Sequence, residues 1–366
     1  MHPNPPSCLP FAAAVLALPF AAPAQQHLVV PAGYATADAV SYNWIAGASR
    51  DVRQQTLIGA GHLTPLVGRT LTALELRRTA ANETYDGGTA DLTVTLSISP
   101  NTPLGASSTF AANAGTTTVQ VFSGPVAFPT SPPIAGGAGS PVAWTQNNVV
   151  RIPLTTPFVY NGGTLCIDVL GQAVPGQEAN WWMADAEFED LQGMTTDLGG
   201  GCGAYGGPAR EWSYVEPRSL LPGAYAHFFA YGPPMSLAIA AFGTRSAAGV
   251  PLSLLGLPAP TGCDLHLATV DGLLATVLLP DPHPALVDRG GRADIELKLP
   301  GDPSALGVTM TTQWLEWSQM ATSNAIEWTV AASVPTLDMA LCEGDPSEAQ
   351  GNLTVHLAHV WRFEFQ

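Results

Sequence analysis

Hydrophobic and polar residues alternate with a period of two in several short stretches of the chain. In residues 91–99 the apolar side chains are Leu92, Val94, Leu96 and Ile98, and the residues between them are Thr or Ser. Successive side chains of a β-strand point to opposite faces of its sheet, so this alternation predicts a strand with one face on a core. We expect the Thr and Ser side chains to lie on the solvent side.

Similar stretches recur along the chain and are separated by turns rich in Gly, Pro and Asn. No helical pattern of about ten residues or more lies between them, which argues against alternating strands and helices. The pattern therefore predicts an all-β fold of the β-sandwich or jelly-roll kind. We place further strands at residues 69–77, 117–123, 148–154, 164–170, 237–242, 263–269, 273–279, 293–299, 308–317 and 326–331.

The C-terminal stretch, residues 353–365, shows the alternation most clearly. Thr354, His356, Arg362 and Glu364 are among the residues of its more polar face. An unpaired strand of this kind would leave its backbone donors and acceptors open, so we expect it to pair within a sheet. Its apolar face consists of Leu353, Val355, Leu357, His359, Trp361, Phe363 and Phe365.

The alternation fades between residues 172 and 207, where residues 197–207 hold six glycines around Cys202. So many glycines favour a connection over a packed strand. We therefore predict two β-sandwich domains of jelly-roll type joined by this Gly-rich segment. Their predicted bounds are residues 25–198 and 199–366.

The N-terminus has the features of an export signal. Residues 9–22 are apolar, and Ala22-Pro23-Ala24 has the small-x-small pattern of a signal-peptidase site. The apolar run is shorter than the ~17–25 residues of a membrane span, and no later stretch approaches that length. The sequence predicts a signal peptide over residues 1–24 and a secreted or cell-surface protein without a membrane span after its removal.

The composition excludes several classes of protein. The 366 residues include 13 Lys+Arg and 29 Asp+Glu, a formal net charge of −16. No basic cluster is present, so we expect no nucleic-acid partner. The 37 Gly and 33 Pro argue against a helical bundle, while 46% hydrophobic residues suffice for a large core.

Four cysteines remain after removal of the signal peptide: Cys166, Cys202, Cys263 and Cys342. An even number in an exported chain predicts disulfides, and four cysteines allow three pairings. No C-x-x-C is present, so a zinc site or a redox pair is not expected.

The chain lacks the short motifs of the common enzyme classes. It has no G-x-S-x-G, no H-E-x-x-H, no phosphate-binding loop and no dinucleotide fingerprint. We therefore assign no catalytic residue and expect no required cofactor.

An acidic cluster next to two tryptophans is the first candidate site. Such carboxylates can supply the hard oxygen ligands that Ca²⁺ prefers, or they can flank a sugar that lies on an aromatic platform. The simpler interpretation is a solvated acidic loop whose tryptophans cap the sandwich edge. The cluster consists of Trp181, Trp182, Asp185, Glu187, Glu189 and Asp190.

The second candidate site comprises Trp314, Glu316 and Trp317, which lie near Trp328 on the next predicted strand. Trp314 and Trp317 are three residues apart and face opposite sides of a strand, so at least one of them is expected at the surface. An exposed Trp beside a carboxylate suits the stacking of a sugar ring. Core packing of cross-strand aromatic pairs is the competing interpretation.

Several turn and core stretches resemble a known kind of protein. With residues 200–202, 249–265, 291–300 and 303–306, the second half resembles a β-sandwich domain that recurs at the C-terminus of secreted proteins of planctomycete-type bacteria. With residues 53–56, 71–77, 119–124 and 157–160, the first half is similar to the domain that often precedes it. The resemblance implies a fold and an export route but no chemistry. It also implies a disulfide between Cys202 and Cys263, and the tail from Pro335 lies outside it.

Together these features predict an exported, non-catalytic binding or cell-surface structural protein, with a glycan or a cell-surface polymer as the candidate partner. The alternative is a secreted glycosidase-like hydrolase, which needs two carboxylates about 5–9.5 Å apart. Asp185, Glu187, Glu316 and Glu327 are the candidates, and they lie in different predicted domains. The oligomeric state stays open.

Overall fold

The computed structural model describes residues 25–180, 182–203, 213–280 and 290–366. Within these residues the regular structure is almost entirely β-strand, which confirms the predicted all-β fold. One short α-helix, α1 (Phe110–Asn113), is present in the described part. Short 3₁₀ helices cover Ala32–Tyr34, Ala60–Leu66, Gln146–Asn148, Pro217–Ser219, Leu252–Leu255 and Pro303–Ala305.

Residues 25–188, called the first half below, contain nine strands in their described part. They are β1 (Gln26–Val30), β2 (Ser41–Trp44), β3 (Val52–Ile58), β4 (Arg69–Arg77), β5 (Gly88–Ser99), β6 (Thr118–Phe128), β7 (Val149–Tyr160), β8 (Thr164–Ala173) and β9 (Met183–Phe188).

Residues 194–329, called the second half, contain twelve strands in their described part. They are β10 (Met194–Gly199), β11 (Ser213–Val215), β12 (Tyr225–Gly232), β13 (Leu237–Gly243), β14 (Arg245–Pro251), β15 (Asp264–Leu267), β16 (Gly272–Val277), β17 (Leu279–Pro280), β18 (Gly291–Lys298), β19 (Thr309–Glu316), β20 (Ala321–Thr322) and β21 (Ala325–Thr329). The C-terminal tail adds β22 (Met339–Gly344), β23 (Asn352–Thr354), β24 (Leu357–His359) and β25 (Trp361–Phe365).

Strand β5 shows how the alternation in the sequence becomes structure. Leu92, Val94 and Leu96 are buried in the core of the first half, and Thr93 and Thr95 on the opposite side are only partly covered. The strand can face only one way, because its apolar row is buried in the core and its polar row stays in contact with water. The predicted facing is confirmed for residues 92–96. Ser97 and Ser99 are buried, so the expectation that they lie on the solvent side is wrong; their hydroxyl groups accept backbone hydrogen bonds from Gly115 and Asn101.

The sheets of the first half include all four strands of the tail. One sheet has the order β23-β22-β3-β8-β5-β6, a second has β1-β25-β4-β7, and a third has β2-β9-β24. All of these pairs are antiparallel. Their inward side chains form one large core that includes Trp182, Trp361 and Phe363.

The second half is built from separate sheets. Its largest has the order β10-β21-β19-β13-β16, with β20 beside β19. A four-stranded sheet has the order β11-β12-β18-β17, and β14 and β15 form a two-stranded sheet. Phe228 and Trp328 meet edge to face in the shared core, with 5.3 Å between ring centroids.

The tail returns to the first half. Strand β22 pairs with β3, and β25 lies between β1 and β4, so the expected pairing of the C-terminal strand is confirmed. The predicted second domain, residues 199–366, is wrong for this tail, because its strands complete first-half sheets. The stretch predicted as one strand over 353–365 is divided into β23, β24 and β25 by a turn at residues 355–356 and a break at Val360. Burial of Trp361 and Phe363 in the first-half core accounts for the return.

The cysteines fall into two groups. Cys202 and Cys263 form a disulfide, as the resemblance implies. Cys166 and Cys342 are free and buried, so the expectation of a second disulfide is wrong. They lie on the strands that flank β3 on its two sides. Two strand spacings put their Cα atoms at least about 9.5 Å apart, beyond the ~7 Å limit of a disulfide.

Candidate ligand surface around Trp317

The outer face of the largest second-half sheet carries a continuous row of apolar side chains. Ile239 lies at its centre and is opposite Ala275 on one neighbouring strand and Leu315 on the other. Leu237 is opposite Val277 in the same way. We call this surface the Trp317 face, and it consists of Leu237, Ile239, Ala241, Leu273, Ala275, Val277, Leu315 and Trp317.

The inner face of the same strands is also apolar. Ala238, Ala240 and Phe242 of β13 are buried in the second-half core. An antiparallel sheet that faces water on one side normally alternates apolar and polar residues, whereas strands covered on both faces are apolar throughout. Strand β13 is apolar on both faces, so its sequence is typical of a strand that is covered on both sides. Leu237 is nevertheless 40% exposed and Leu273 is 62% exposed.

A groove of about 290 Å³ lies on the Trp317 face. Its walls also include Leu255 and Val270, which are 53% and 51% exposed. Of the polar residues that line it, Gln313 is already engaged. Its amide donates to the carbonyls of Asp264 and Ser323, both at 2.9 Å, and its oxygen accepts from a backbone N–H of β15 at 2.8 Å. The groove thus offers little to a ligand that needs hydrogen bonds.

Trp317 is held at the rim by the turn after β19. Its backbone N–H donates to the carbonyl of Leu237 at 2.9 Å. Glu316 is buried, and its carboxylate accepts from the backbone N–H groups of Ser318 at 2.8 Å and Gln319 at 3.0 Å. The indole of Trp317 remains 52% exposed. Glu316 therefore shapes the turn, and the prediction that it contacts a ligand is wrong.

The two tryptophans of this strand face opposite ways, and the prediction that at least one is exposed is confirmed. Trp314 lies opposite Ala240 and is 2% exposed, because its indole packs into the second-half core. Its proposed role in ligand binding is therefore wrong. Trp328 on the adjacent strand is also buried, and its indole N–H donates to the Thr312 hydroxyl at 2.8 Å.

The tryptophans of the acidic cluster do not form an exposed platform in the described residues. Trp182 is fully buried between Tyr85 and Phe128, each 5.9 Å away between ring centroids, and its N–H donates to Pro129. It belongs to the first-half core, which corrects its assignment as a ligand contact. Trp181 lies outside the described residues.

The first carboxylate of the acidic cluster is buried in an ion pair. Asp185 accepts a hydrogen bond from the guanidinium of Arg77, and neither side chain is exposed. It also accepts from the backbone N–H of Ala39 at 2.8 Å. Loss of water raises the pKa of Asp185 to about 6 in spite of Arg77, which acts in the opposite direction. A cation cannot reach this carboxylate.

The other three carboxylates of the cluster are engaged separately. Glu187 lies near Tyr34, where burial and the Glu187 carboxylate raise the pKa of the tyrosine hydroxyl. Glu189 accepts from the backbone N–H of Thr336 at 2.6 Å, and Asp190 is solvated, 3.8 Å from Arg218. In the part of the chain that the structure describes, no three Asp, Glu, His or Cys side chains are grouped to hold a metal ion. The calcium assignment to Asp185, Glu187, Glu189 and Asp190 is corrected accordingly.

The carboxylates named for a hydrolase lie on three different strands. Asp185 and Glu187 lie on β9 in the first half. Glu316 is opposite Ala238 and points inward, whereas Glu327 lies on the outer side of β21, 3.5 Å from Arg245. Asp185 and Glu187 share one face of β9, but Asp185 is buried and already paired with Arg77.

Sequence reasoning missed most of the Trp317 face. Its signal is present in residues 272–280, GLLATVLLP, which are apolar at both odd and even positions and carry no charge. Such a run is typical of a strand covered on both faces. Leu255 and Val270 lie outside any alternating pattern and come to the groove only through the fold.

Within the described residues, no helix is both long and apolar enough to cross a membrane. Comparison of the chain with protein-family models, with curated proteins and with solved structures finds no match.

Proposed function

We propose that the protein is exported and acts outside the cell as a non-catalytic binding or structural component, and that it contacts its partner through the Trp317 face. The observation that carries this proposal is the half-exposed indole of Trp317 on a sheet face with a continuous row of apolar side chains, where the polar Gln313 is already hydrogen-bonded. Covering such a surface is favourable in proportion to the apolar area removed from water. The signal-like N-terminus and the resemblance to secreted proteins support the export route.

The chemistry of the groove favours an apolar partner. A sugar ring can stack its C–H face on Trp317, but its hydroxyl groups need hydrogen-bonding partners. Gln313 cannot supply one, because its side-chain nitrogen already donates two hydrogen bonds and its side-chain oxygen already accepts one. We therefore propose a partner with an extended apolar surface, and a glycan as the second candidate on account of the exposed indole alone.

A neutral apolar dye tests the proposal directly. Nile red fluorescence is measured with a dilution series of the wild-type protein and of the Trp317→Ala variant. Tyr42→Ala serves as the matched control, since Tyr42 is an aromatic side chain 59% exposed on β2 of the first half. At high dilution we expect wild type and Tyr42→Ala to bind the dye and Trp317→Ala to bind it several-fold more weakly.

Equal dye binding by all three proteins would overturn the proposed use of this face. A glycan array with the same three proteins decides the second candidate. Glycan binding that is lost in Trp317→Ala and kept in Tyr42→Ala would favour a sugar partner over an apolar one.

A further inference from the structure

The Trp317 face is large enough to form half of a protein interface. The exposed parts of its side chains, with those of Leu255 and Val270, amount to roughly 700 Å². A standard interface takes about 800 Å² from each partner, and single apolar patches on monomers are usually about 300–600 Å². The area is therefore that of a protein contact and exceeds what a small ligand would cover.

Charge points to a partner of the same composition. The chain has a formal net charge of −16, yet residues 272–280 contain no charged residue and no charged side chain belongs to the Trp317 face. A cationic partner would find nothing to pair with here, and two copies of this chain would repel each other least when they meet at this face.

The two edge strands of the same sheet also differ in charge and regularity. Edge strand β10 carries Asp197 and has an irregular register between Asp197 and Gly199, two features that protect an edge against association. The opposite edge, β16, has neither a charge nor a register shift. Leu273 and Val277 on it are 62% and 40% exposed. Both side chains belong to the Trp317 face, so a partner that packs on this face covers the exposed apolar part of β16.

We propose that the Trp317 face is the contact between two copies of this chain. This inference rests on the proposed function and specifies the partner. The two sheets pack face to face about a two-fold axis, so that the same residues of both copies meet. Trp317 of each copy enters the groove of the other, as large aromatic side chains fill pockets of the partner in stable interfaces. The apolar outer side of β13 is then covered in the assembly.

The molar mass of the purified protein tests this assembly. Sedimentation equilibrium over a range of concentrations is expected to give a dimer for the wild type. Leu273→Glu places a carboxylate in the contact and should give a monomer. Val67→Glu is the control, because it adds the same charge at a side chain 53% exposed in the first half, and it should remain a dimer.

The Trp317→Ala variant adds a second measurement. Removal of the half-exposed indole that enters the groove of the other copy should raise the dissociation constant of the dimer about tenfold or more. Far-UV circular dichroism and the unfolding midpoint of each variant establish that it is folded. A wild type that is monomeric at every concentration would overturn the inference, and so would equal dimerisation of Leu273→Glu and Val67→Glu.

The dye experiment separates this inference from the proposed function. If copies pair, the Nile red signal per molecule falls as the wild-type concentration rises. A monomer whose dye binding depends on Trp317 at all concentrations would retain the binding face and exclude the second copy as its partner. A monomer without Trp317-dependent binding would contradict both proposals.

Discussion

Arg77 and Asp185 form an ion pair that water does not reach. Arg77 is on β4 and Asp185 on β9, so the pair joins two sheets of the first half. The guanidinium also donates to the carbonyls of Val142 at 2.7 Å and Ala37 at 2.5 Å. Arg77 therefore connects strand β4 to the loops at Val142 and Ala37 and to the sheet that contains Asp185. Asp185, which suggested a cation site in the sequence, has a structural role.

Replacing Arg77 by Met should destabilise the protein by about 3–5 kcal/mol, because it leaves the Asp185 carboxylate buried without a partner. Urea unfolding at pH 8 measures this loss. The double variant Arg77→Met/Asp185→Leu should recover part of it, since no buried charge then remains. A double variant that is no more stable than the single one would contradict the assignment of the loss to the unpaired carboxylate.

The Arg77→Met variant should also respond to pH. Burial already raises the pKa of Asp185 to about 6, and removal of the cation raises it further. When folding raises the pKa of an acid, the folded protein loses stability as the pH rises through the folded-state pKa of that acid. The deficit of the variant relative to wild type should therefore be smaller at pH 5 than at pH 8. A deficit that is equal at both values would place the damage in lost packing.

His356 should make the wild-type protein less stable in mild acid. It is buried against Phe188, with 4.8 Å between ring centroids, and burial lowers its pKa to about 4. Because folding lowers the pKa of this base, the unfolded chain takes up a proton at a higher pH than the folded protein does. The folded protein therefore has its full stability above about pH 6.5 and loses stability as the pH falls toward 4. The shift corresponds to about 3 kcal/mol over this interval.

Urea unfolding at several pH values between 7 and 4 measures the effect. His356→Gln cannot take up the proton, so its stability should fall less steeply than that of wild type. His27→Gln is the matched control, because His27 is exposed, and it should keep the wild-type slope. Part of the slope should remain in His356→Gln, since burial also lowers the pKa of His359. Identical slopes for all three proteins would refute the prediction.

Calcium should leave the thermal stability unchanged. Asp185 is paired with Arg77, and Glu189 accepts backbone hydrogen bonds from the segment at Thr336. A Ca²⁺ ion would have to break these contacts to gather the ligands it prefers. Differential scanning fluorimetry with calcium chloride, with magnesium chloride at the same ionic strength and with a chelator checks this. A saturable rise of the melting temperature with calcium alone, absent in Glu187→Gln, would restore the metal assignment.

The elements that could be predicted from the sequence are those set by local alternation. Strand β5 is one of them, because Leu92 and Val94 can reach a core only if the whole strand faces one way. The opposed facing of Trp314 and Trp317 follows from the same period. Which of the two is exposed could not be predicted, because it depends on whether a second layer covers the outer face of β13.

The features that sequence reasoning missed depend on contacts between distant residues. Val30 pairs with Trp361 across most of the chain, and no local pattern specifies that partner. The acidic cluster has the pattern of a metal site in the sequence, because its carboxylates are close along the chain. In the structure Asp185 is paired with Arg77, which lies 108 residues away. Neutralising partners of this kind become visible only when the sheets are assembled.

Cys166 and Cys342 should behave as two unreactive thiols. Burial raises the pKa of each to about 12, so the reactive thiolate is scarce at neutral pH. A chain that begins at Gln25 should show no reaction with Ellman's reagent while folded and two reactive thiols after unfolding in guanidinium. Cys202 and Cys263 should react only after reduction, because they form the disulfide. The finding of no free thiol in the unfolded, unreduced chain would mean that Cys166 and Cys342 are bonded, and it would contradict the placement of β8 and β22 on opposite sides of β3.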